Sequence, residues 1–202
     1  MSRAARIALV VVGVALVAVV GAIVWLTTQE DAPEAAPIPG PGAGRTVVAD
    51  PSIELPYLVE VPGNDDGCPA GAFSSPVEPL TVSDGYASLM LPRGDDAALL
   101  VTCIGEVADV GAPEEFVAQS WSGEGYDDPA EAAMWERLSI ERIDSPFGDS
   151  LALTSRIGVR LLTDHFVERD GWIYAIGYLR GEADSDVDRA VVDAVLASWQ
   201  WR

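Results

Sequence analysis

The chain has 202 residues, with 12 basic side chains against 32 acidic ones and a net charge of −20. No basic surface can be assembled from that balance, which excludes nucleic-acid binding by phosphate neutralisation and docking on anionic lipid headgroups through a polybasic patch. An apolar content of 49% is too high for a disordered chain, and two cysteines with one histidine are too few for a disulfide-dense scaffold or a zinc cage.

Residues 7–26 (IALVVVGVALVAVVGAIVWL) carry no charged side chain. At about 1.5 Å rise per residue, that run matches the roughly 30 Å hydrocarbon core of a bilayer. Arg3 and Arg6 precede it, and Glu30, Asp31 and Glu34 follow. The positive-inside bias then predicts that residues 1–6 are cytoplasmic and that everything beyond residue 26 lies outside. A cleaved signal peptide is the competing reading, but its apolar stretch is shorter, about 7–15 residues. The expectation is a single-pass anchor in the cell membrane. Residues 27–51 hold Pro33, Pro37, Pro39, Pro41, Gly40, Gly42 and Gly44. Proline fixes φ and removes amide donors, so this stretch reads as an extended tether.

Residues 52–202 read as one extracytoplasmic α+β domain, an antiparallel sheet with flanking helices. Residues 97–104 (AALLVTCI) are a continuous apolar run, hence a buried strand, and residues 85–92 form its neighbour. Pro113 opens a short helix through Trp121. Asp128, Pro129 and Glu131 supply an N-cap, a first-turn proline and a dipole-matched acid, predicting a helix to Leu138 with Met134, Trp135 and Leu138 toward the core. Residues 139–143 and 150–157 flank a hairpin loop at residues 144–149. Residues 159–168 and 172–180 flank Asp170-Gly171, a strong two-residue hairpin signal. Ser185 and Asp188 fit a capping box that starts a helix through Trp199, with Val187, Val191, Ala194, Val195 and Trp199 on one stripe.

The element order of the C-terminal half resembles the Mog1/PsbP-like domains, including extracytoplasmic versions on actinobacterial envelope proteins. The resemblance rests on the hairpin after Gly148 (GDSLA), the strand pair ending DGWIYAIGYLRG, the closing VLASWQW and the helix GAPEEFVAQSW, and it spans residues 85–201. A Pro-x-x-Trp common in that class is replaced here by Leu91-Pro92-Arg93-Gly94-Asp95. The resemblance implies a binding or assembly module without chemistry of its own, and it transfers no functional residue.

Residue by residue, chemistry finds little support. His165 is the only histidine, and no Gly-x-Ser-x-Gly elbow occurs. Asp184, Asp186 and Asp188 alternate as in a calcium loop, but Arg189 stands where the turn glycine belongs and Val195 where the bidentate glutamate belongs. No catalytic residue, metal or cofactor is expected, and the chain reads as a non-enzyme. Cys68 and Cys103 both lie beyond the anchor, in an oxidising space, and an even pair there suggests one structural disulfide, two buried free thiols being the alternative. With Asp170-Gly171 as a two-residue turn, Val167 opposes Tyr174, His165 opposes Ile176 and Thr163 opposes Tyr178. His165, Trp172, Tyr174 and Tyr178 then share one face, either a binding face or the side packed under the terminal helix. The leading expectation is an acidic envelope module that binds a membrane or envelope protein partner, with no nucleic-acid role. The other is a carrier or sensor for a small apolar ligand near the membrane.

Overall fold

The computed structural model of the protein describes residues 37–91, 97–122, 134–181 and 185–202, and for residues 122 and 185–188 the backbone alone. The expected anchor at residues 7–26, the turn after residue 91 and the start of the expected helix at residue 128 lie outside the described residues. Among the described residues no helix is long and apolar enough to cross a membrane.

The fold is α+β. Its main sheet is built from β1 (Arg45–Thr46), β4 (Thr81–Ser83), β5 (Tyr86–Met90), β6 (Ala98–Glu106), β7 (Glu136–Ser145), β8 (Gly148–Ile157), β9 (Arg160–Arg169) and β10 (Trp172–Gly181). Their spatial order is β1-β7-β8-β9-β10-β6-β5-β4, antiparallel except where β1 joins β7. Strands β7 to β10 run as consecutive hairpins, each closed by a two-residue turn. Asp170 and Gly171 both take positive φ (52° and 83°), the backbone that a tight hairpin turn demands and that Asp-Gly tolerates. The register places Val167 against Tyr174, His165 against Ile176 and Thr163 against Tyr178, as the sequence predicts.

Two helical pieces, α1 (Val107–Val110) and α2 (Pro113–Ser122), cover one face, where Val117 and Trp121 pack on Leu151, Leu153, Phe166 and Ile173. The other face meets α3 (Ser185–Ser198) and a second sheet of β2 (Tyr57–Val61), β3 (Gly71–Ser75) and β11 (Gln200–Trp201), ordered β11-β3-β2. Strand β10 is covered on both faces, so Ile173 to Tyr178 are all buried and read as an unbroken apolar run.

Trp199, 3% exposed, lies at the junction of α3 with both sheets. Its ring stacks on Phe73 at 5.5 Å and meets Phe147, Tyr174 and Trp201 edge-on at 5.0, 6.2 and 5.1 Å. A Cβ at Gly71 would lie 2.3 Å from the Trp199 ring, so β3 approaches the indole only because residue 71 has no side chain. Ser198 fastens the end of α3, its Oγ accepting from the Ser74 amide at 2.9 Å and donating to the Val195 carbonyl at 2.8 Å.

Three expectations change. Residues 136–138 are strand, not helix, and Met134 and Leu138 are 57% and 36% exposed. Pairing along almost the whole of β8 outweighs the local capping signals upstream. The loop expected at residues 144–149 shrinks to Pro146-Phe147, because Ser145 pairs with Gly148. The tether ends sooner than residue 51. Arg45 and Thr46 pair with Ile143 and Asp144, the Val47 amide donates to the Asp144 carbonyl at 2.9 Å, and the Val47 side chain is buried.

Cys68 and Cys103 form the disulfide, with Cα atoms 6.6 Å apart. It ties the β2–β3 connection to β6 and therefore links the two sheets. Tyr174 adds a second tie nearby, its hydroxyl donating to the Pro69 carbonyl at 2.7 Å. Closing a loop between residues 35 apart restrains the unfolded chain by about 4 kcal/mol on the chain-entropy account. Replacing both cysteines by serine should cost roughly that much in urea unfolding under oxidising conditions, and adding reductant to the variant should change nothing further. An unchanged midpoint in the variant would show that the bond contributes no stability.

Candidate functional site

The antiparallel hairpins carry a row of hydroxyls across the face beneath α3. Ser139, Thr154, Thr163 and Tyr178 are successive cross-strand neighbours on β7, β8, β9 and β10. Residues in such a row lie about 4.8 Å apart, the spacing of neighbouring strands. Thr154 and Thr163 are already within hydrogen-bond reach of each other at 3.1 Å. The adjacent row reads Glu141, Ala152, His165 and Ile176.

Helix α3 does not close down on this part of the sheet. A cleft of about 290 Å³ remains, floored by the hydroxyl row and His165, with Val192 and Asp193 of α3 above. Arg45, Arg180 and Arg189 stand around it. Arg45 donates twice to Asp193, at 2.6 and 2.9 Å, and bridges β1 to α3 across the cleft mouth. Arg189 reaches from α3 to Glu141 on β7 at 2.8 Å. Arg180 lies over the Tyr178 ring, 6.0 Å from its centroid. Two ion pairs thus strap the helix to the far edge of the sheet while the space between stays open.

His165 is 4% exposed, and its Nδ1 finds no hydrogen-bond partner among the described residues. Burial pushes its pKa down to about 4. The Asp193 carboxylate opposes that shift, and the Arg45 and Arg189 guanidiniums reinforce it. The imidazole is therefore neutral at neutral pH, presenting one donor and one acceptor. The preceding residue, Asp164, points to the opposite face, packed across Gly177, where an added Cβ would sit 2.5 Å from its Oδ1. Burial raises that carboxyl to about 7.

The four residues of the expected binding face do lie on one side of the β9–β10 hairpin, but the structure separates them. Tyr174 is fully buried against Trp199 and Trp201, with its hydroxyl on Pro69, and Trp172 packs partly buried beside it. These two belong to the core, because the second sheet and the end of α3 need an apolar surface there. His165 and Tyr178 line the cleft. Sequence reasoning missed Thr154, Ser139, Arg45 and Arg189. Gly158, with φ of +59°, was the available signal for Thr154, since a two-residue turn at Gly158-Val159 sets Thr154 against Thr163. Arg45 was hidden in what reads as tether.

A second depression of about 370 Å³ lies beside Phe147 and Trp201. Its buried cation, Arg142, is already satisfied by Glu114 at 2.8 Å, Asp149 at 2.9 Å and the Pro39 carbonyl at 2.9 Å. That arrangement anchors α2 and the chain before β1.

No protein-family model matches the chain, and no curated protein matches it in sequence. Solved structures do resemble it. A protein of unknown function from Pseudomonas aeruginosa is 12% identical with a TM-score of 0.44, over 70% of this chain and 94% of that one. A protein from Bacteroides thetaiotaomicron is 8% identical with a TM-score of 0.38, over 65% of this chain and 45% of that one. The cyanobacterial PsbP, CyanoP, from Synechocystis is 13% identical with a TM-score of 0.40, over 77% of this chain and 99% of that one.

The neighbouring ionisable residues on opposite faces should give opposite pH dependences. Between pH 4 and 6.5 the unfolded chain protonates His165 while the native state does not, so this residue makes stability rise with pH by about 3 kcal/mol. Between pH 4 and 7 the native state keeps the Asp164 proton that the unfolded chain releases, so stability falls with pH there. Urea titrations across this window should show His165→Leu losing the rising component and Asp164→Asn losing the falling one. Equal pH slopes in wild type and both variants would overturn these assignments.

Proposed function

We propose that the protein is a membrane-anchored, extracytoplasmic binding module, without catalytic chemistry, that holds a small polar ligand in the cleft between α3 and the sheet. One observation carries this reading: a cleft of about 290 Å³ whose floor carries a four-strand row of hydroxyls beside the buried His165 imidazole. Each hydroxyl both donates and accepts, so the row can bond a polar ligand that enters the cleft. The hydroxyl row favours a polar ligand over the apolar one expected from sequence, although Ile143, Ala152, Val192 and the Tyr178 ring also line the cleft. Binding without catalysis is supported by the disulfide, which consumes both thiols and leaves neither as a nucleophile for His165 to activate. The anchor rests on the apolar run at residues 7–26.

Docking of a protein partner remains a second reading, and it has its own observation. Met90 and Leu100, 43% and 37% exposed, lie on one face of the β5–β6 pair near the edge of the sheet.

The test is a thermal-shift screen of polar metabolites on the full-length chain in detergent micelles. The account expects ligands that raise the melting temperature of wild type but not of a Thr154→Val/Thr163→Val variant that is itself folded. Ligands that stabilise both proteins equally would place binding elsewhere. A crosslinked protein partner lost on Met90→Ser/Leu100→Ser, with no ligand found, would favour the second reading.

A further inference from the structure

At the end of the main sheet opposite β1, two sheet edges come together. Strand β4 pairs only with β5, and β2, at the edge of the second sheet, pairs only with β3. The Gly85 amide donates to the Pro62 carbonyl at 2.8 Å, which ties the exit of β2 to the turn after β4. Val82 pairs with Ala87, and Ala87 with the buried Val101, so Val82 projects from the interior side of the main sheet. Leu80, two residues earlier, continues the pairing, its amide donating to the Ser88 carbonyl at 2.8 Å. The core does not cover these side chains: Leu80 is 68% exposed and Val82 38%.

The two edges differ in what they can accept. An edge strand leaves one side of its backbone amides and carbonyls without a sheet partner. Pro56 and Pro62 bracket β2, and proline has no amide to offer an incoming strand. In β4, Thr81–Ser83, all three residues are exposed, and threonine and valine favour extended backbone. Neither proline nor lysine, the residues that commonly blunt an edge, occurs in it.

Charge then identifies the incoming chain. Every second position from residue 78 to 84 reads Glu78, Leu80, Val82, Asp84, an exposed apolar pair between two exposed carboxylates. Residues 47–91, which build β2 to β5, contain seven acidic side chains and no basic one. A second copy of this chain pairing edge to edge would set carboxylates against carboxylates, which is unfavourable. We propose that the β4 edge receives an extended segment of a partner protein as an added outer strand, with apolar residues over Leu80 and Val82 and basic residues toward Glu78 and Asp84. The recognition pattern is Lys-x-Val-x-Val-x-Lys, or its arginine and isoleucine equivalents, and it reads the same in either direction along the edge. Main-chain hydrogen bonds supply the pairing and the alternate side chains the selectivity, while the acidic domain attracts the basic segment. The β4 edge is separate from the α3 cleft, so this proposal and the cleft reading stand or fall independently.

The experiment measures fluorescence anisotropy of labelled peptides against the full-length chain in non-ionic detergent micelles. The probe is acetyl-Lys-Thr-Val-Thr-Val-Thr-Lys-amide. Three controls replace its lysines by glutamate, its valines by serine, or its central threonine by proline. The expected result is saturable binding of the probe that weakens with added salt, with each control bound roughly tenfold more weakly or worse. Leu80→Ser/Val82→Ser, at exposed positions that tolerate change, should weaken the probe by about the same factor. Glu78→Gln/Asp84→Asn should do so without altering the apolar pair. Hydrogen–deuterium exchange should slow at residues 80–84 when the probe is bound. Equal binding of the serine control would reduce the effect to charge alone and overturn the proposal. Undiminished binding to Leu80→Ser/Val82→Ser, or no binding of the probe at all, would overturn it as well.

Discussion

The position of Trp199 is the constraint on which the rest of the domain depends. Its indole is gripped by Phe73 from the second sheet, Phe147 from the β7–β8 turn and Tyr174 from the central strand. A buried tryptophan of this kind contributes about 3–5 kcal/mol, a large share of the stability of a domain this size. It also fixes where α3 ends. With its C-terminal end held there and its middle strapped by Arg45–Asp193 and Arg189–Glu141, the helix is suspended over the sheet like a beam on two supports. The cleft is the span between those supports. Its openness follows from what lines the floor: hydroxyls and an imidazole give an apolar helix face little to pack against.

Much of this was legible in the sequence, for local reasons. Asp170-Gly171 sets the β9–β10 register, because only a turn with both residues at positive φ fits, and the register fixes which side chains share a face. The amphipathic stripe of α3 and the Pro113 helix start are local signals too, and the two cysteines leave one pairing to consider. What sequence patterning could not decide was whether the His165–Tyr178 face met solvent or a roof. Period-two alternation identifies a face but not its covering.

The unread parts are those made by distant pairing. Strand β3 is Gly-Ala-Phe-Ser-Ser, with little strand propensity, and its partner β11 is two residues at the far end of the chain, just past the expected helix end at Trp199. Arg45 read as tether because its neighbours are prolines and glycines. It is drawn onto the domain by backbone pairing with β7, close enough that Gly44 could carry no Cβ against the Arg142 carbonyl. At residues 136–138, helix-start signals lost to ten residues of antiparallel ladder. The candidate site combines both categories. Its floor comes from hairpins with local registers, and its rim comes from residues brought together over more than a hundred positions.

The central claim is that ligand binding takes place between α3 and the β8–β9 floor. Hydrogen–deuterium exchange of the full-length chain, with and without a saturating ligand from the thermal-shift screen, tests it directly. The account predicts slowed exchange on both walls of the cleft, at residues 152–154 and 163–165 and in α3 around residues 189–193, with the outer face under α2 unchanged. Protection confined to the β4–β5 edge or to α2, with α3 unaffected, would contradict it.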